Sequence, residues 1–340
     1  MFTVIVVRYI RKWRADTMSQ KHANTASLGG DRARLGTFRY TLKRISRHWQ
    51  LYLVLLIPVA LLIIFSYGPM YGVQIAFKDF KVRQGIWGSK WVGMKHFNNF
   101  WGTHNFNRLI TNTLTLSVYS LLAGFPIPIL LALMLNDCGN LKFKKTVQMI
   151  TYAPHFISTV VMCSIILLVL TSSKNGIINN VRQAFGAADR IDFITKPNYF
   201  AHIYVWSGVW QSMGYSSIIY IAALSGIDPS LHEAAMVDGA SKMRRIWHID
   251  LPGIMPTITI LLILNVGSLM NIGYEKVLLL QNDLNMSASD IIATYVYRVG
   301  LQQAQYSFSA AVGLFNSVVN TILLVTVNFI TKKLGETSLF

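Results

Sequence analysis

Glu233, Asp238, Lys242, Arg244 and Arg245 crowd into one short stretch of a chain in which only 13% of residues are charged. Ala234, Ala235, Gly239 and Ala240 lie among them and carry almost no side chain. No nucleophile–base arrangement or clustered Asp/Glu pair accompanies them, so acid–base or covalent catalysis has nothing to work with. These residue types suit docking instead. A thin alanine surface lets the groove of another protein approach closely, and the surrounding charges orient it. A second set of residues is polar or aromatic within otherwise apolar stretches, where exposure to lipid is costly. Trp206, Trp210 and Gly214 recur every four residues, with Gln211 and Tyr215 on a neighbouring face. Asn265, Ser268 and Glu275 share one side of a later segment, Asn271 and Tyr274 lie adjacent, and Asn316 and Asn320 repeat at four. Aromatic faces suit sugar C–H surfaces and amides bond hydroxyls. These residues are therefore candidates to line a route for a polar solute. The competing role is helix–helix joining, which uses the same residue types, and Glu275, near an outer boundary, also reads as simply solvated.

The elements that position both sets follow from composition. The chain has 340 residues, 53% of them hydrophobic. Its charged fraction is about half that of a soluble domain, too little polar surface to cover a water-soluble core. The formal charge of +17 would suggest nucleic acid in a soluble protein. Here it fits basic loops beside anionic lipid, and nucleic acid is not an expected partner. Six apolar segments are expected at about 51–74, 109–135, 146–170, 201–224, 253–274 and 311–330, each near the roughly 20 residues that span a bilayer core. The fold class is therefore an all-α membrane protein of six transmembrane helices. Pro58, Pro126, Pro128 and Pro154 fall inside these segments and are expected to kink them.

Residues 1–50 form a basic arm and residues 51–340 the transmembrane domain, with the charged insert at 225–252. In the arm Leu35, Phe38, Leu42, Ile45 and Trp49 recur at three and four, with Arg34, Arg39, Lys43, Arg44 and Arg47 between them, the pattern of an amphipathic helix on a membrane surface. Placing the arm inside puts 19 of the 31 Lys and Arg residues on the cytoplasmic side. Both termini and the insert are then cytoplasmic. The apolar run Phe2–Val7 is too short for a signal core, so the N-terminus is read as retained. On the outer side, Phe80, Trp87, Trp91, Phe97, Phe100 and Trp101 suit an interfacial belt or a surface for an external partner, and a short helix is expected at Asn175–Phe185. Cys138 and Cys163 lie in different settings, and neither a disulfide nor a metal site is expected. His155 is expected as a packed, hydrogen-bonded imidazole within the third crossing.

Within the insert, Asp228 suits a helix N-cap and Pro229 the first helical position. Ser230–Val237 favours one to two turns, and Gly239 permits the positive φ of a sharp turn. A second short helix is expected over Ser241–His248, leading to Pro252 at the start of the next crossing. The run Glu233-Ala234-Ala235, two variable residues, Asp238-Gly239-Ala240, then Ile249, Leu251 and Pro252 resembles the EAA signature of permease subunits in binding-protein-dependent ABC importers. Only Ile246 departs, standing where the carbohydrate branch often has an aromatic residue. The resemblance extends from about residue 45 to the C-terminus and includes Ala153-Pro154 and Ala222-Ala223-Leu224.

The resemblance implies a type I importer permease fold whose insert is a coupling helix seated on an ATP-hydrolysing subunit. Glu233, Ala234, Ala235, Asp238, Gly239, Ala240, Leu251 and Pro252 would be its coupling residues. It also implies a second permease subunit, with a heterodimer favoured, two ATP-binding subunits, an extracytoplasmic solute-binding protein, and a place in the bacterial inner membrane. The chain has no Gly-x-x-x-x-Gly-Lys-[Ser/Thr] phosphate loop, so it is not itself an ATPase and binds no cofactor; ATP and Mg belong to the partner. Gly68-Pro-Met-Tyr-Gly72 and Ile86–Gly93 are similar to stretches in importers of oligosaccharides, including alginate or pectin fragments. Two other readings compete. An ion-driven secondary transporter predicts paired intramembrane carboxylates or broken helices at the midplane. An enzyme acting on lipid-linked sugar predicts a catalytic cluster.

Overall fold

The computed structural model describes residues 47–333, and the chain divides into two compact units, Met1–Gly72 and Val73–Phe340. The arm residues Leu35, Phe38, Leu42 and Ile45, with their intervening basic residues up to Arg44, lie outside the described residues. In the first unit, α1 (Trp49–Leu62) carries Pro58 inside it and passes into a π turn at Ile63–Tyr67. None of its residues is buried. A helix apolar all round its surface is suited to lipid rather than water.

In the second unit a two-residue antiparallel ladder, β1 (Lys78–Asp79) with β2 (Lys90–Trp91), precedes α2 (Lys95–Trp101). Then come α3 (Phe106–Gly124), α4 (Pro126–Asn136), α5 (Leu141–Tyr152), α6 (Thr159–Leu170), α7 (Ile177–Ala184) and α8 (Pro197–Leu224). The chain continues through α9 (Pro229–Val237), α10 (Lys242–Arg245), α11 (Leu251–Gly267), α12 (Tyr274–Leu280), α13 (Ile292–Tyr297) and α14 (Tyr306–Lys333).

Among the described residues, four helical runs are long and apolar enough to cross a membrane: Trp49–Phe77, Phe106–Asn136, Lys242–Gly267 and Tyr306–Lys333. The expected third crossing is not one helix. α5 and its extension to Phe156 meet α6 at a bend of 102°. Pro154 lies in a 3-10 turn, Ile157 is extended, and Ser158 caps a new helix by accepting from the Val161 N–H at 3.4 Å. The kink expected at Pro154 is thus a full break, with a new helix starting after it. α8, with 28 residues, is about 42 Å long, more than the roughly 30 Å of hydrocarbon. Its Trp, Ser, Gln and Tyr residues dilute its apolar character. The fifth helix ends at Gly267 rather than at residue 274.

α8 is the hub, packing against α3, α4, α5 and α11. Lipid tails are as apolar as the helices, so close packing rather than water exclusion holds such helices together. Gly214 shows the consequence: a Cβ there would stand 2.2 Å from the Thr151 carbonyl oxygen. At one end of α8, Tyr220 and Leu224 pack with Ile129, Leu133 and Ile254. Nearer its start, Phe200 joins Leu116, Met162 and Val277.

Two expectations need correction. Phe97 and Phe100 are not belt residues; both are buried, Phe100 against Leu109, Phe308 and Val312. Trp87 and Trp91 do remain exposed. His155 lies at the break rather than within a crossing, and it is exposed with its ring stacked 3.9 Å from that of Tyr215. The short helix expected at Asn175–Phe185 is present as α7. Cys138 and Cys163 are free thiols.

Candidate functional site: a docking insert and a hydroxyl-lined cavity

The insert is built by local backbone bonds. Asp228 caps α9 by accepting from the Ser230 N–H at 3.0 Å, and that bond holds its exposed carboxyl below the usual carboxylate range. Pro229 occupies the first turn, where its missing N–H costs nothing. At the other end the Ala240 N–H bonds the Ala235 carbonyl at 2.8 Å, and the Gly239 N–H bonds that of Met236 at 3.1 Å. This pair is a Schellman motif, which requires a left-handed residue between its two bonds. Gly239 supplies it with φ of +74°. No atom lies within 4 Å of where its Cβ would be, so the backbone angle, not crowding, selects glycine.

After the turn Ser241 caps α10 by accepting from the Arg244 N–H at 3.4 Å. The second leg is not a separate short helix, as the sequence suggested. It runs through a π turn at Ile246–Asp250 directly into α11, so Pro252 lies inside a continuous helix. The Leu251 N–H reaches back to the Ile246 carbonyl, one residue further than in an α-helix. That local adjustment accommodates a proline, which has no N–H to give.

Two side-chain pairs tie the insert to the helices. His232 Nε2 stands 3.3 Å from Oδ1 of buried Asp250, and Lys242 Nζ stands 3.2 Å from Asp137 Oδ2. The outward face carries Leu231, Glu233, Ala234, Met236 and Val237, all exposed, the last at 89%. Met243 and Trp247 continue the apolar surface. Apolar side chains rimmed by charge mark an interaction surface.

A cavity of about 610 Å³ lies between α3, α8 and α11. Tyr215, Asn265 and Asn271 line it, together with Ser117, Ser212 and Ser268. The Ser117 hydroxyl is buried without a partner. The remaining expected path residues stand elsewhere. Gln211 donates to the Ile157 carbonyl at 2.9 Å and so fastens the broken crossing. Asn316 and Asn320 both donate to Asn271 Oδ1, at 3.0 and 3.1 Å, joining α14 to the chain after α11. Trp206 donates to the Tyr119 hydroxyl at 2.8 Å, Trp210 is exposed, and Tyr274 stacks on Tyr297.

A buried ionic strut forms that no sequence motif announces. Asp290, fully buried, accepts from Arg298 Nη2 at 3.0 and 2.9 Å and from the Thr294 hydroxyl at 3.2 Å, with Arg108 Nη2 at 3.6 Å. Asn112 donates to the Asp290 carbonyl. Thr294 and Arg298 lie four and eight residues from Asp290, but Arg108 and Asn112 come from α3, and no local pattern announces the meeting. The His232–Asp250 pair closes the insert on itself across the Gly239 turn.

The model of the binding-protein-dependent transport system inner membrane component family matches residues 100–336. Protein LplB of Bacillus subtilis is 42% identical over 87% of this chain and 92% of its own length. The polygalacturonan/rhamnogalacturonan transport system permease protein YteP of the same organism is 42% identical over 89% of this chain and 93% of its own. A chain of a bacterial ABC transporter involved in import of the acidic polysaccharide alginate superposes with a TM-score of 0.79 and 41% identity, covering 86% of this chain and 99% of that one. The alginate transporter in complex with an alginate pentasaccharide-bound periplasmic protein gives 0.80 and 40%, over 87% and 99% of the two chains.

Proposed function

This chain belongs to the family of binding-protein-dependent transport system inner membrane components, and on that premise we propose that it carries an acidic oligosaccharide into the cell. It is a multi-pass membrane permease subunit of an ABC importer, and the nucleotide chemistry belongs to other chains. The observation that carries the transport reading is the insert: a preformed Schellman turn with an exposed apolar and charged face, on a chain with no phosphate loop of its own. Two ATP-binding subunits, using ATP and Mg, would grip that face. Glu233, Ala234, Ala235, Asp238, Gly239, Ala240, Leu251 and Pro252 act in coupling, and a second, non-identical permease chain completes the path. Both termini and the insert lie on the cytoplasmic side, as the basic loops favour.

The cargo reading rests on the cavity and on the relatives. Hydroxyls and amides suit a polyhydroxyl chain, and the exposed Tyr215 face suits sugar C–H surfaces. Polygalacturonan and alginate, in the relatives' names, are both uronate polymers. An ion-driven carrier would suit the broken crossing at Ile157, but it is disfavoured by the family match and because, among the described residues, the crossings hold only one carboxylate, Asp250, beside His232. The test is uptake into proteoliposomes holding the assembled transporter, with oligogalacturonate delivered by its binding protein. ATP-dependent uptake is expected. Uptake that persists without ATP on an ion gradient alone would overturn the assignment.

A further inference from the structure

Lys276 is a buried cation that the import reading leaves without a role. It lies in α12 at 9% exposure, next to Val277 of the apolar cluster that also holds Met162, Cys163 and Phe200. Its Nζ donates to the Tyr204 carbonyl at 2.8 Å and stands 4.8 Å from the Tyr204 ring centroid. Gly208, one turn further along α8, leaves room for it: a Cβ there would lie 3.2 Å from Nζ. Among the described residues no carboxylate pairs with it, and the adjacent Glu275 is exposed. A buried ammonium without a counter-ion is costly to hold. A neutral donor would tether α12 to α8 with less desolvation.

Tyr204 links this charge to the cavity, because the residue that receives Lys276 also lines the wall. Ile272 and Gly273, just before α12, line it too. The lining itself holds hydroxyls, amides and apolar groups but no charged side chain. Discrimination by charge must therefore come from behind the wall. We infer that Lys276 is the charge-selecting residue of this cavity: its ammonium, held beside Tyr204, favours a carboxylate-bearing oligosaccharide over a neutral one of the same length. The inference rests on the proposed import of an acidic oligosaccharide. A unit charge acting through several ångströms of low-dielectric protein is expected to change relative import about tenfold.

The test uses the full transporter with its partner permease, ATP-hydrolysing subunits and binding protein in proteoliposomes. Import of tetragalacturonate and of its methyl-esterified, uncharged counterpart is measured for the wild type, Lys276→Met and Lys276→Arg. The same binding protein serves all three, so its own preference cancels between variants. Lys276→Met is expected to lower tetragalacturonate import about tenfold relative to the ester, while Lys276→Arg keeps the wild-type ratio. Equal loss of both sugars in Lys276→Met, or no change in the ratio, would reduce Lys276 to a tether and overturn the inference. If Lys276→Met fails to assemble, Lys276→Gln, which retains an N–H donor, is read by the same ratio. Absence of tetragalacturonate import by the wild type would instead remove the parent reading, and this inference with it.

Discussion

The insert and the cavity do their work by opposite means. In the insert every bond that shapes the backbone is local, Ser230 to Asp228, Ala240 to Ala235, Arg244 to Ser241, and Lys242–Asp137 reaches across to the end of α4. The backbone shape is fixed by cap residues and one left-handed glycine, and Leu231, Glu233, Met236 and Val237 are left exposed. In the cavity nothing is local. Ser117, Tyr215 and Asn265 come from three helices, and Asn271 is held by residues 45 and 49 positions away. A surface proposed to meet a separate motor takes its shape within its own segment. A cavity inside a helix bundle exists only once the bundle is packed.

The contrast can be broken from either side. The largest expected effect is on the bundle. Gly214→Leu would force a side chain onto the Thr151 carbonyl, where neither backbone can yield cheaply. Overpacking of this kind costs about 1–3 kcal/mol or more. Loss of assembled transporter is expected in detergent extracts, while a Gly214→Ala control is reduced less. Next is the insert face. Val237→Glu changes a residue that is 89% exposed, so the chain should still insert and fold. Co-purification of the ATP-hydrolysing subunits is expected to fall about tenfold, as for loss of an interface anchor. Unchanged co-purification would remove this face from the contact.

A smaller effect is expected where the cavity meets α14. Asn271→Leu takes away the acceptor shared by Asn316 and Asn320 and leaves their amides short of a partner, a cost of about 1–3 kcal/mol. Thermal stability should drop and import weaken, with the stimulated ATPase less affected. The smallest effect belongs to Asp137→Ala, which removes the half-exposed pair with Lys242. Pairs of this kind are worth about 0–1 kcal/mol, so transport should change less than about twofold. A large loss would mean that this pair carries force between the insert and α4.

The same contrast explains what the sequence disclosed. The cap at Asp228, the turn at Gly239 and the exposed signature residues were legible because their causes lie within a few positions. The end of that segment was misjudged: a π turn lets Pro252 sit inside one continuous helix, whereas proline spacing suggested a boundary. Pro154 marked a kink in the third crossing, but neither the 102° bend nor the new helix capped at Ser158 was legible in the apolar run. Phe97 and Phe100 looked like interface aromatics because they sit in a loop-rich stretch, yet α2 turns them into the core. For Gln211, Asn316 and Asn320 residue type leaves two roles open, path lining and helix joining. Type does not distinguish a solute contact from a helix joint, and in this structure their side chains bond neighbouring segments.

The central claim is that the Gly239 turn transmits the motor's work to the path. It is tested most directly by ATP hydrolysis in the reconstituted transporter, with and without sugar-loaded binding protein, for the wild type, Gly239→Asn and Gly239→Val. Asparagine tolerates the left-handed region and valine does not. The account predicts stimulation in the wild type, most of it retained in Gly239→Asn, and its loss in an assembled Gly239→Val complex whose basal hydrolysis persists. Full stimulation and normal uptake in Gly239→Val would contradict it.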